Sequence, residues 1–291
     1  MAHEHHHHGH GHGRHHGHEH GDGYDLTEML LLDAEVTATH LAAFTGRIAE
    51  LAGEAAVRRV VDLGSGTGTG AFALLRRFPG AVVTAIDTDE GMLRHLTESA
   101  ARHGVADRVR PLHADAGGGL PETGEADLVW ASSSMHHMSD PDRVLADIHA
   151  VLRPGGLLAM IEMESMPRFL PDDIGIGAPG LEARCHALAD AAKAEHLPHM
   201  GSDWPARLRA AGFTVLDSRD LVVDLAPPLP APAVRYAVAT LKRFRAAVAE
   251  RLSAEDRETL DTLLAKDEHV LRHLPGLSVH STRSAWIATP A

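Results

Sequence analysis

The stretch Val60-Val61-Asp62-Leu63-Gly64-Ser65-Gly66-Thr67-Gly68 constrains this chain more than any other: a β-branched run ends in an acid, three alternate glycines follow, and an apolar helical pattern begins at once. A strand, a glycine loop and a helix start in that order open a nucleotide-binding βαβ unit. Glycine serves there because the turn off a buried strand needs positive φ, and because a bulky ligand must come closer to the backbone than a Cβ would allow. The dinucleotide form of the loop is Gly-x-Gly-x-x-Gly. Here the glycines fall at every second position, although Gly66, Gly68 and Ala71 still make a degenerate dinucleotide match. A second strand, Ala81 to Ile86, ends in Asp87, a carboxylate placed to grip both hydroxyls of a ribose. Both kinds of nucleotide enzyme share that feature.

The separation comes further along. Ala126 to Ser132 is a fourth strand, followed by Ser133-Ser134-Met135-His136-His137-Met138-Ser139-Asp140-Pro141, a helix over Asp142 to Arg153, and a sharp turn Arg153-Pro154-Gly155-Gly156 into the apolar strand Leu157 to Ile161. Over residues 55 to 165 the chain resembles the class I S-adenosylmethionine-dependent methyltransferases, in the small-molecule branch that includes quinone-biosynthesis C-methyltransferases. The resemblance rests on the joint pattern: Asp-x-Gly-x-Gly-x-Gly, the acid ending strand two, Asp115-Ala116 after strand three, His-His-x-x-Asp-Pro and Leu-Arg-Pro-Gly-Gly.

That resemblance implies a cofactor and a division of roles. Gly64, Gly66 and Gly68 would contact the methionine part of S-adenosylmethionine, with Asp62 ordering the loop. Asp87 would hold the ribose, Asp115 would accept from the adenine amino group beside the Ala116 backbone, and Ser132 would line the cleft. The amides that open the helix after Gly68 can receive the cofactor carboxylate. His136 and His137 are the candidates for a catalytic base, because they follow strand four at the mouth of the site; the same pair also suits a loop-ordering job. Glu162, Glu164, His196 and His199 are further candidates, and Tyr24 is one to fold over the cofactor from the N-terminal side.

Periodicity points to an α/β, doubly wound, mostly parallel sheet covered on both faces, and the resemblance implies seven strands in the order 3-2-1-4-5-7-6 with one antiparallel strand, plus a helical cap or insertion. Leu41, Phe44, Ile48 and Leu51 mark a helix before the first strand, Arg59 to Leu63. Thr69 to Phe78 and the segment with Met92, Leu93, Leu96 and Ala100 are the next helices, around a third strand at Val109 to Leu112. The expected organisation is a His-rich tail over residues 1–23 and a methyltransferase domain over 24–291, with its core at 55–165 and a lid at 166–200. Sheet strands at 213–225 and 278–288 would flank a helical insertion at 226–276. The insertion opens on a proline-rich stretch and carries helices about Val234 to Leu252 and Ala254 to Leu271, the second capped by Ser253. Its apolar stripes would pack internally, or form a lid or a homodimer contact.

Charge and composition narrow the function. A net charge of −13 argues against a nucleic-acid partner, which is bound largely through Lys and Arg against phosphates, so a small-molecule substrate with an O, N or C nucleophile is expected. With no apolar run long enough to span a bilayer and a polar start, no membrane partner and a cytoplasmic location are expected. Cys185, the single cysteine, reads as a packed or exposed thiol. The first 23 residues hold eleven histidines among Gly and Glu, and His5, His6, His7, His8, His10 and His12 are candidate ligands for Zn, Ni or Cu, without a catalytic role; an expression tag or an idle solvated tail are the other readings. Two other classes stay open. An NAD(P)-dependent oxidoreductase would share the loop and Asp87 but needs a proton donor such as a Tyr with a Lys four residues on, and Tyr236 is followed there by Thr240. A noncatalytic cofactor- or metal-binding protein is the other.

Overall fold

A computed structural model of the chain describes residues 26–53, 57–265 and 268–291. Tyr24 and the histidine tail lie outside them. Seven strands, β1 (Arg59–Leu63), β2 (Val82–Asp87), β3 (Val109–His113), β4 (Ala126–Ser132), β5 (Leu152–Met163), β6 (Phe213–Leu225) and β7 (Val279–Pro290), form one sheet of order 3-2-1-4-5-7-6. Strand β7 runs antiparallel to both of its neighbours, as expected, and the remaining pairs are parallel. Strand β4 is apolar on both faces because helices cover both. One face packs α2 (Ala38–Ala52), α3 (Thr69–Arg77) and α4 (Glu90–Arg102) around Phe44, Leu74, Leu96 and Trp130; the other packs α5 (Pro141–Val151) and α7 (Trp204–Ala210) around Met160, Leu145 and Trp204.

Several motif residues explain themselves as local structure. Asp140 caps α5 by accepting from the Arg143 amide at 2.9 Å, and Pro141 fills the first helical position. Asp127, at the start of β4, accepts from the amides of Arg58 and Arg59 at 2.7 and 2.8 Å and pairs with Arg153. The arginine of Leu-Arg-Pro-Gly-Gly therefore ties two strand starts together, far from the carboxyl ends of the strands. Strand β5 differs from the expectation: it begins at Leu152, and residues 153–156 form an irregularity within it, opposite Ala126 to Leu128, where the sequence suggested a turn before the strand.

The insertion forms a separate core. Helix α8 (Ala231–Ala247), α9 (Ala254–Leu264) and α10 (Glu268–Arg272) bury Val234, Val238, Leu241, Phe244, Leu260 and Leu263 together with Leu181 and Cys185 of α6 (Leu181–His196). The stripes weighed as a dimer contact are thus spent inside the molecule. The helix ends need correction: α8 stops at Ala247, and the second expected helix is divided at Leu264. Val248 and Leu252 are both buried, so their apolar spacing continued across the corner where the chain turns back. Helix α1 (Leu26–Val36), which sequence reading did not separate out, also joins this core through Leu32.

Candidate active site

Strand register brings the motif residues to one edge. Leu63 lies beside Ile86 on one side and Ala131 on the other, so the glycine loop, Asp87 and Ser132 all emerge at the carboxyl ends of parallel strands, where the strand order reverses. Gly64, Gly66 and Gly68 have φ of 70°, 50° and 86°. The loop hangs on strand β2: Gly64 and Ser65 both donate to the Ile86 carbonyl at 2.9 Å, and Asp87 accepts from the Gly66 amide at 2.8 Å and the Asp89 amide at 2.9 Å. A Cβ on Gly64 would meet Ser134 Cβ at 2.5 Å, whereas one on Gly66 would meet only Leu30 Cδ1, at 3.8 Å. Packing therefore demands glycine at the first position. At Gly66 no clash forbids a side chain; Leu30 stands over the backbone there at ordinary contact distance, and the positive φ is what favours glycine.

Asp62 sits beneath the loop, 2% exposed. Its carboxyl takes the Ala71 amide, and Oδ2 has no hydrogen-bond partner. Burial pushes its pKa up to about 7, with Asp87 adding to the shift. A carboxyl raised above its unfolded value of 3.8 stabilises the fold fully below that pH, and the contribution is lost as pH rises through about 7. Asp62→Asn is therefore expected to raise the thermal midpoint of the ligand-free protein more at pH 8 than at pH 4. An equal change at both pH values would show that Asp62 titrates normally.

Beyond β4 the chain makes a tight 3₁₀ turn over Met135–His137. Ser133, at φ 54°, is the one non-glycine with positive φ among the described residues. Glu162, at the end of β5, organises this turn: its Oε1 accepts from the Met135 amide at 2.8 Å and its Oε2 lies 2.5 Å from His136 Nδ1. Both side chains of that pair are nearly fully buried, at 2% and 3% exposure. Glu162 is thereby committed to shaping the loop. His137 lies against His136 with ring centroids 4.2 Å apart and ring planes tilted by 40°. Although His137 is exposed as a residue, partial loss of hydration, with His136 adjacent, lowers its pKa to about 4, so it is neutral at pH 7.

Asp115 and Ala116 follow β3 at the same edge, where the Ala114 amide donates to the Asp87 carbonyl at 3.1 Å. Asp115 is exposed and its Oδ1 takes the Gly117 amide at 2.7 Å, with Ala116 buried beside it. Glu164 takes the Ser284 hydroxyl at 2.6 Å, His199 lies 3.3 Å from Arg207, and His196 is exposed at the end of α6. Sequence reading missed Leu30 as a neighbour of the loop, and it named Glu162 as a candidate without its pairing to His136. The first left no signal. The pairing could have been sought from a carboxylate at the end of the strand next to the histidine turn.

Comparison with known proteins adds the family. Residues 60–156 match the model of a methyltransferase domain. The chain is 33% identical over 174 residues to Methyltransferase GfsG of Streptomyces halstedii, which covers 60% of this chain and 59% of that relative's length. It is 30% identical to the demethylmenaquinone methyltransferase of Clavibacter sepedonicus over 69% of this chain and 82% of that one. Among solved structures, the YcgJ protein of Bacillus subtilis superposes with a TM-score of 0.52 at 19% identity, covering 84% of this chain and 97% of that one, which is a likeness of fold.

Proposed function

The chain belongs to the class I S-adenosylmethionine-dependent methyltransferases, and from that premise we propose that it transfers the methyl group of S-adenosylmethionine to an O, N or C nucleophile of a small molecule. The observation that carries the reading is Asp62, a buried carboxyl with one unpartnered oxygen beneath the glycine loop. An ammonium of the cofactor's methionine end is a fitting partner, because a buried carboxylate that stays unpaired is costly. Asp87 would take the ribose hydroxyls; a carboxylate has lone pairs to spare beyond those already given to the two amides. Gly64, Gly66 and Gly68 would lie along the methionine chain, Asp115 and Ala116 at the adenine, and Ser132 on the wall of the cleft.

When bound, the cofactor supplies a methyl group already activated on a sulfonium, so the protein's share is to align the acceptor and keep water out. His136, held by Glu162, fixes the turn that borders the acceptor side. His137 stands on the same turn as the candidate to take a proton where the acceptor must lose one, although a pKa lowered to about 4 makes it a weak base at pH 7. The net charge of −13 favours a small molecule over nucleic acid. Among the described residues no helix is long and apolar enough to cross a membrane. Calorimetry tests the reading: S-adenosylmethionine should bind and NADH should not, and the reverse preference would overturn it.

The histidine tail is proposed to bind Zn, Ni or Cu apart from this chemistry. Among the described residues no cluster of three or more His, Cys, Asp or Glu is arranged for a metal. Deleting residues 1–22 is expected to remove most Ni or Zn binding while leaving turnover intact; a truncated protein without turnover would contradict that separation.

A further inference from the structure

Helix α1 lies against the glycine loop, with Leu30 Cδ1 3.8 Å from where a Cβ on Gly66 would stand. What holds it there is unusual. Toward α2 and α3 the side carrying Leu31, Ala34 and Glu35 looks into a hollow of about 690 Å³, so packing against the body does not fix its seat on that side. Toward the insertion it is tightly engaged. Leu32 is buried in the insertion's core, and Asp33 Oδ1 accepts from the Tyr236 hydroxyl of α8 at 2.6 Å and also from the guanidinium of Arg283 on β7. The Arg283 and Asp33 side chains are 11% and 17% exposed. A pair this far from water binds firmly only while both partners are present, since removing one strands the other charge.

We propose that α1 is a strap across the cofactor cleft, and that Asp33, Tyr236 and Arg283 are positioning residues that hold it closed by fastening it to the helical insertion. The cover of the cofactor and the cap on the acceptor side then form one mechanical unit, and releasing α1 from α8 opens the glycine loop. The strap rests on the functional reading above, because what it retains is the cofactor. A leucine wall over Gly66 also serves that reading by excluding water from the methionine end.

The test compares wild type, Asp33→Ala, Tyr236→Phe and Asp87→Ala in the full chain. Amide hydrogen exchange without ligand should quicken over residues 26–36 in Asp33→Ala and, more mildly, in Tyr236→Phe, while residues 82–87 keep wild-type protection. Dissociation of S-adenosylhomocysteine should speed up by about tenfold in Asp33→Ala, the factor set by losing a little over one kcal/mol of closure. Tyr236→Phe preserves shape and the Asp33–Arg283 pair, so it keeps the test open if Asp33→Ala fails to fold. Unchanged exchange over 26–36, or faster exchange with an unchanged off-rate, overturns the strap. A wild-type chain that binds no S-adenosylhomocysteine overturns the functional reading and the strap's purpose with it; the ligand-free exchange comparison tells that failure from the first.

Discussion

Gly64→Ala is expected to destabilise the protein by about 3 kcal/mol, from a left-handed conformation that disfavours any Cβ and from overpacking in a fixed corner. The residue sits at φ 70°, and the new methyl would meet Ser134 Cβ at 2.5 Å and Ser134 Cα at 3.8 Å. Ser134 cannot swing aside, because it leads directly into the turn that Glu162 clamps at Met135 and His136. Relief must come from moving that turn or from moving the loop. Either shift spoils the cleft, so cofactor binding should be lost along with a thermal midpoint lower by roughly 10 °C. Pairing the change with Ser134→Gly removes the clash but not the strained φ, and should recover part of the midpoint. A single variant as stable as wild type would show that the loop and the histidine turn are not in register as described.

Asp87→Ala should weaken S-adenosylmethionine binding by about 2 kcal/mol, the value of charged hydrogen bonds to the two ribose hydroxyls. That is about 30-fold in Kd. The same carboxylate holds the Gly66 amide at 2.8 Å and the Asp89 amide at 2.9 Å, so the variant also loosens the glycine loop and the entry to α4. Asp87→Asn separates the two effects: an amide oxygen can still accept from one backbone donor, so the loop is partly held while the charged contact is gone. Titration calorimetry reads both variants. Unchanged affinity in Asp87→Ala would mean that the ribose binds elsewhere.

How much of this was legible depended on whether the signal was local. The glycine loop could be read because each of its glycines answers to turn geometry within a few residues, and Asp87 because it ends an apolar run. Sheet order followed from the family pattern. Polar ties across the fold could not be read: Asp33 meets Tyr236 and Arg283 at sequence separations of 203 and 250 residues, and such pairs leave no periodic mark. The Arg153 tie to Asp127 was hidden in the same way inside a motif that read as a turn. Apolar spacing also overran real corners, since Val248 and Leu252 are buried on either side of the bend that ends α8. At the histidine turn the residue types were visible but their division of labour was not, because it depends on Glu162 reaching across from the neighbouring strand.

The most direct measurement is the structure of the chain crystallised with S-adenosylhomocysteine. The account predicts the ribose hydroxyls on Asp87, the amino group on Asp62, and the sulfur turned toward the side bordered by His136 and His137. Nucleoside density away from Asp87, or a crevice left empty at saturating ligand, would contradict it.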